Sequence, residues 1–227
     1  MENTQETAPT TAKATAHLNI GAFLSSCEIS LINASDPQIA SLLQSRSYTP
    51  AIIAEKLAEL TNVRTLVAAQ KKEYGEQYAA TEDYRKAVDL LHPEYMDHLT
   101  LARVAFKNDT AAKTALGLKG DRAQSESGYT SQALLFYNGV LDNAAYKAKL
   151  GVLGVSEADL QEGKAGFTTL ATKGAIKVKE SGEAQAATQA RDKALDEFAK
   201  WFAEFKIVAS IALGKYPQLK EKLGWKE

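Results

Sequence analysis

The chain carries one long stretch twice. Moved forward by 107 residues, positions 48–118 lie over 155–225 without a gap, and about 21 of the 71 aligned positions are identical. The matches include Thr61/Thr168, Thr65/Thr172, Ala79-Ala80-Thr81/Ala186-Ala187-Thr188, Asp89/Asp196, Ala102/Ala209, Ala105/Ala212 and Leu116-Gly117/Leu223-Gly224. A repeat at fixed offset constrains the fold before any single motif does. The fold expected is all-α: an internally duplicated antiparallel helical bundle with two pseudo-symmetric halves. Residues 1–16, poor in large apolar groups, are expected to be a disordered tail. Residues 17–118 form the first helical repeat, 119–128 a junction loop and 129–227 the second repeat.

Helical periodicity runs through both copies. Ile20, Phe23, Leu24, Cys27 and Leu31 recur at three- and four-residue steps. Asp36-Pro37 then supplies a cap and a first helical residue, and Thr49-Pro50 does so again. Ile53, Leu57, Leu60, Val67 and Tyr74 mark the apolar face of a long helical stretch. Gly75 and Gly182 fall at the same place in the two copies. Each is followed by a threonine, Thr81 or Thr188, that could cap a new helix. This pattern predicts a helical hairpin in each copy, in preference to one continuous helix of 59 residues. Pro93 predicts a kink or a fresh turn in the first copy alone, because its counterpart is Lys200. Gly117 ends a short helix, and residues 119–128 read as the loop between the halves. In the second half, Ala133, Leu134, Phe136, Tyr137, Val140 and Leu141 answer the first amphipathic helix. Phe198, Phe202, Phe205, Val208 and Leu213 turn the last long helix inward.

Bulk properties narrow the function classes. A net charge of −1 and a pI near 6.4 give no basic field for nucleic acid or anionic lipid. The longest apolar run, residues 207–213, is far short of the roughly 20 residues that span a bilayer. No basic segment followed by an apolar core marks the N-terminal region as a signal peptide, so a cytoplasmic protein is expected. The single cysteine, Cys27, lies among apolar residues and reads as a buried thiol.

Chemistry-bearing residues are few. Asp89, His92, Glu94 and His98 could pair on helix faces as metal ligands. However, the Glu-x-x-His motif of di-iron bundles is missing, and His92 and His98 become Ala199 and Phe205 in the second copy. Surface or partly buried histidines are the expected reading, with no metal and no cofactor. Phe198, Trp201, Phe202 and Phe205 are spaced as a core face, with Trp201 partly exposed. Tyr74, Tyr78, Tyr84 and Tyr95 suit the edge of a core or a protein contact. Lys71-Lys72, Lys177/Lys179 and Lys220/Lys222 are balanced by Glu73, Glu76, Glu180 and Glu221, which reads as solvated helix faces. Thr61/Thr168 and Thr65/Thr172 are expected to bond to backbone carbonyls or to let helices approach. Neither a nucleophile elbow nor a phosphate loop occurs in the sequence.

Several segments carry a resemblance. They are Asp36-Pro37-x-Ile39…Leu42…Tyr48-Thr49…Leu57, Ala79-Ala80-Thr81 and Leu101-Ala102-Arg103-Val104-Ala105, with Leu116-Gly117-Leu118-x-Gly120-x-Arg122. Gln132-Ala133-x-x-Phe136-Tyr137 and Pro217-Gln218-Leu219…Leu223-Gly224 complete the set. Together they resemble a group of uncharacterised bacterial proteins that are all-helical with two related halves. The resemblance spans most of residues 18–224 and implies a fold; it carries over no functional residue. At Ser47 the chain departs from that pattern, where Gly is common before Tyr-Thr.

The function expected is that of a non-enzymatic structural or protein-interaction protein, with protein partners or self-association into a larger assembly. The alternatives are a bundle that holds a small apolar ligand and, behind it, a metal-binding bundle.

Overall fold

The computed structural model describes residues 19–225. The tail expected at residues 1–16 lies outside them. Every regular element among the described residues is an α-helix, and none is long and apolar enough to cross a membrane.

Local chemistry sets where the helices begin. Asn19 opens α1 (Ile20–Asn33) by accepting a hydrogen bond from the Ala22 N–H. Asp36 does the same for α2 (Pro37–Gln44) through the Gln38 N–H, with Pro37 at the first helical position. The Thr49 hydroxyl accepts from the Ile52 N–H at 3.3 Å at the start of α3 (Pro50–Ala105). Asp109, Ser125 and Asn143 cap α4 (Thr110–Ala115), α5 (Glu126–Leu141) and α6 (Ala144–Gly151). A reciprocal box opens α7 (Glu157–Ala212): the Ser156 N–H donates to Asp159 at 2.8 Å, and the Asp159 N–H to the Ser156 hydroxyl at 3.1 Å. Pro217 begins α8 (Pro217–Lys222).

The hairpins expected at Gly75 and Gly182 do not form. α3 and α7 are each one unbroken helix of 56 residues. Thr81 and Thr188 do not cap anything; their hydroxyls donate to the Gln77 and Ala184 carbonyls one turn back, inside the helices. A glycine inside a helix costs only about 1 kcal/mol relative to alanine. Opening a turn would surrender several backbone hydrogen bonds and the packing against the neighbouring helix. α3 also continues through Pro93, so no new turn starts there.

The described residues form two compact units, and packing rather than chain order decides their membership. The first unit holds the residues up to Val67 together with those from Ala190 onward; the second is Ala68–Gln189. The first is filled by Leu24, Cys27, Leu31, Ile39, Leu43 and Ile53 from one end of the sequence, and by Phe198, Phe205, Leu213 and Leu223 from the other. Polar contacts reinforce that closure. The Ser30 hydroxyl donates to the Leu223 carbonyl at 2.7 Å, and the Trp225 indole N–H donates to Ser30 at 2.9 Å. The second unit buries Tyr95, Leu99, Phe106, Phe136, Tyr137, Leu160 and Phe167. In it α3 and α7 run antiparallel: Gln77 meets Ser181, Asp83 meets Lys173, Tyr84 meets Gly174 and Leu91 meets Gly166.

Candidate functional site

Part of the second unit has no core of its own. Along α3 no residue is buried between Val63 and Tyr84, and along α7 only Ala184 is buried between Leu170 and Phe198. In this stretch a groove of about 780 Å³ runs along α3 and α7. On α3 it is lined by Ala69, Lys72, Glu73, Glu76, Ala79, Ala80 and Asp83, and on α7 by Ile176, Lys179, Glu180, Glu183, Ala186 and Ala187. Both sets step by three and four, so each is a single helix face. Ala-rich ends leave the groove shallow and open, while its middle is charged.

The charges repeat at the same offset as the sequence. The Lys72 ammonium donates to Glu76 at 2.9 Å and lies 3.6 Å from Glu73. Lys179 donates to Glu183 at 2.8 Å and to Glu180 at 3.1 Å. Glu183 first, and then Glu180, push the Lys179 ammonium up to about 12; Glu76 raises Lys72 in the same sense. Glu73, Glu76 and Glu180 bring carboxylate oxygens within 4.8 Å of one another, close enough to share a cation. The two lysines already supply positive charge to these carboxylates. Asp83 in turn lies 3.7 Å from Lys173, so five carboxylates stand against three lysines and each already has a lysine within 4 Å.

A second, smaller cleft of about 340 Å³ lies between α3 and the start of α5. Arg85, Asp89 and His92 project from one face of α3 toward Gln124, Ser125 and Tyr129. His92 Nδ1 is 2.9 Å from the Tyr129 hydroxyl. Burial pushes that hydroxyl up to about 12, so it stays protonated at neutral pH. The Lys177 ammonium sits 5.1 Å above the Tyr84 ring and pairs with Glu126, tying α7 to the first turn of α5.

The residues singled out as metal ligands are dispersed. Asp89 and His92 line the cleft. His98 is buried, with Nδ1 3.2 Å from the Tyr137 hydroxyl and Nε2 3.9 Å from Glu94. None of the four belongs to the one close group of three or more such ligands found among the described residues. The tyrosine series also divides. Tyr74 and Tyr78 are exposed, whereas Tyr84 and Tyr95 are buried, Tyr95 accepting from Arg122 at 3.2 Å. Phe198, Phe202 and Phe205 pack into the first core; Trp201 stacks on Phe205 at 5.4 Å with the Lys56 ammonium 5.2 Å from its ring. Burial pushes the Cys27 thiol up to about 12, which removes the thiolate needed for reactivity at neutral pH. Thr61, Thr65, Thr168 and Thr172 donate to carbonyls one turn back and stay exposed.

Sequence reasoning missed the groove by reading Glu73, Glu76 and Glu180 as balanced surface charge. The available signal was Lys-Glu-x-x-Glu at residues 72–76, repeated at 179–183. A pair of repeated acidic motifs on one face becomes a site only when two helices run antiparallel side by side. The chain matches no family model, no curated protein and no solved structure.

Proposed function

We propose that the protein is a non-enzymatic helical scaffold that works through protein contacts, self-association among them, and that its two sequence halves, residues 17–118 and 129–227, derive from one duplicated building block. The duplication is supported by element positions. α2 and α6, α3 and α7, and α4 and α8 each begin and end 107 residues apart, and the caps of α1 and α5, Asn19 and Ser125, are 106 apart. Left-handed backbone recurs in step, at Ser47 and Gly154 and at Gly117 and Gly224. The resemblance to bacterial helical proteins with two halves points the same way.

One observation carries the contact role. Equivalent large aliphatic side chains stay out of both cores. Ile29 and Leu135 are 50% and 49% exposed, and Val104 and Ile211 are 57% and 62% exposed. Ile29 rests against Gly224 and Leu135 against Gly117, each 3.3 Å from where a Cβ would stand. A single exposed aliphatic is unremarkable. The same one kept twice on the same glycine is a surface each unit offers, and paired surfaces suit repetitive assembly.

Sedimentation velocity from about 1 to 200 µM protein, chosen to span ordinary association strengths, tests this reading. The wild type should shift to larger species with concentration, and Ile29→Asp with Leu135→Asp should remain monomeric. A wild type that stays monomeric throughout the range removes self-association.

A further inference from the structure

The cleft between α3 and the start of α5 lies wholly within the second unit and sets opposite charges beside an apolar wall. Arg85 and Asp89 stand one turn apart on the face of α3 that lines it, with Cβ atoms about 6 Å apart. No ion pair or side-chain hydrogen bond joins either of them to the other, or to anything else among the described residues. Charges around them are matched. Lys86 lies 3.8 Å from Glu82 and Lys173 lies 3.7 Å from Asp83, while Lys177 pairs with Glu126, which also lines the cleft. The residue 107 positions on from Arg85, Asp192, is itself held by Arg191.

A lone exposed charge is ordinary on a protein surface. Here a cation and an anion share one cleft, whose apolar lining is Val88, Ala123 and the rings of Tyr84 and Tyr129. Tyr84 is buried, and the His92–Tyr129 contact ties the α5 side of the cleft to α3. The Tyr129 hydroxyl keeps its proton at neutral pH, so that side is uncharged. At about 340 Å³ the cleft is at the small end of the range that ligand sites occupy, which suits one amino acid better than a nucleotide or a peptide. A purely anionic ligand would bring its charge beside Asp89, and a purely cationic one beside Arg85. A ligand that carries both charges on neighbouring atoms meets each with its opposite. We propose that this cleft binds a zwitterionic α-amino acid with an apolar side chain. Its carboxylate sits on the Arg85 guanidinium, its ammonium on Asp89, and its side chain against Val88, Ala123 and the two tyrosine rings. The planar guanidinium donates two parallel hydrogen bonds to a carboxylate, which orients the ligand as well as holding it. This role goes beyond the scaffold reading, and the cleft shares no residue with the exposed Ile29 and Leu135.

The test titrates the full chain with L-phenylalanine up to about 10 mM and follows amide shifts in proton–nitrogen correlation spectra. N-acetyl-L-phenylalanine, which lacks the cation, and phenethylamine, which lacks the carboxylate, are titrated beside it. L-phenylalanine should bind with a Kd of about 1 mM or tighter, with shifts centred on residues 84–92 and 123–129. Each one-charge analogue should bind at least about tenfold more weakly. Arg85→Gln and Asp89→Asn should each cost L-phenylalanine at least about tenfold in affinity. Both side chains are exposed, so the spectrum of either variant should otherwise match the wild type. Lys86→Gln, on the same helix but outside the cleft, should leave binding unchanged. Ile29→Asp with Leu135→Asp should do the same, which separates this test from that of self-association. No binding of L-phenylalanine, equal binding of all three compounds, shifts centred elsewhere, or affinity that survives both Arg85→Gln and Asp89→Asn would overturn the proposal.

Discussion

Gly163 and Gly75 are both helical, yet their surroundings assign them opposite roles. A Cβ on Gly163 would lie 2.4 Å from the ring of Tyr137, which is itself buried against Phe136 and Phe167. Tyr137 has nowhere to go, so Gly163→Ala should destabilise by about 1–3 kcal/mol. At Gly75 and Gly182 an added Cβ meets nothing within 4 Å. Gly75→Ala and Gly182→Ala should each stabilise by about 0.5–1 kcal/mol, because alanine gives up less backbone freedom on forming the helix. Urea unfolding checks both signs, through midpoints that move in opposite directions at constant slope. The same residues explain one misreading of the sequence. A glycine at matching places in two copies looks like a break. Its cost is local and small, and nothing in the sequence near Gly75 reports the antiparallel neighbour that keeps the helix whole.

At the scale of elements, the joints before the two long helices are built alike but not equally well. Ser47, between α2 and α3, has φ +68°; Gly154, between α6 and α7, has φ +87°. A side chain in left-handed backbone costs about 1–2 kcal/mol, a cost glycine escapes. Ser47→Gly should therefore stabilise by about 1 kcal/mol, and Gly154→Ala should destabilise by about the same, with thermal melts reading the pair. These joints were legible beforehand, since Asp36-Pro37 and Thr49-Pro50 announce helix starts from their own side chains. Pro93 was legible only as a hazard. Local sequence shows the missing N–H but not whether the surrounding helix tolerates it, and α3 carries on.

At the scale of the molecule, the first unit is closed by contacts between distant parts of the sequence. Lys222 on α8 donates to Asp36 at 3.1 Å, and Asn33 donates to the Lys222 carbonyl. Lys222 first, and then the Gln38 N–H, hold the Asp36 carboxyl below the usual carboxylate range. A carboxyl depressed on folding stabilises the protein above its unfolded value, about 3.9, and loses that contribution as pH falls through its folded value. Asp36→Asn should melt below the wild type at neutral pH. The gap should close as the pH falls through the lowered folded value, since both proteins then lack the charge.

Sequence alone determined that the chain is helical, where most helices start and which faces turn inward. Those properties depend on neighbours within a few residues, on caps, prolines and spacing. The repeat also drew attention to residues 17–118 and 129–227 as copies. Which faces share a core was decided in three dimensions. Phe23 packs on Phe202 and Ser30 on Leu223, while Tyr95 packs on Phe167, so each compact unit draws on both stretches. The acidic groove has the same origin. Lys72–Glu76 and Lys179–Glu183 are ordinary helix pairs until two helices run antiparallel and pool their charge, and no periodicity along one strand of sequence encodes that adjacency.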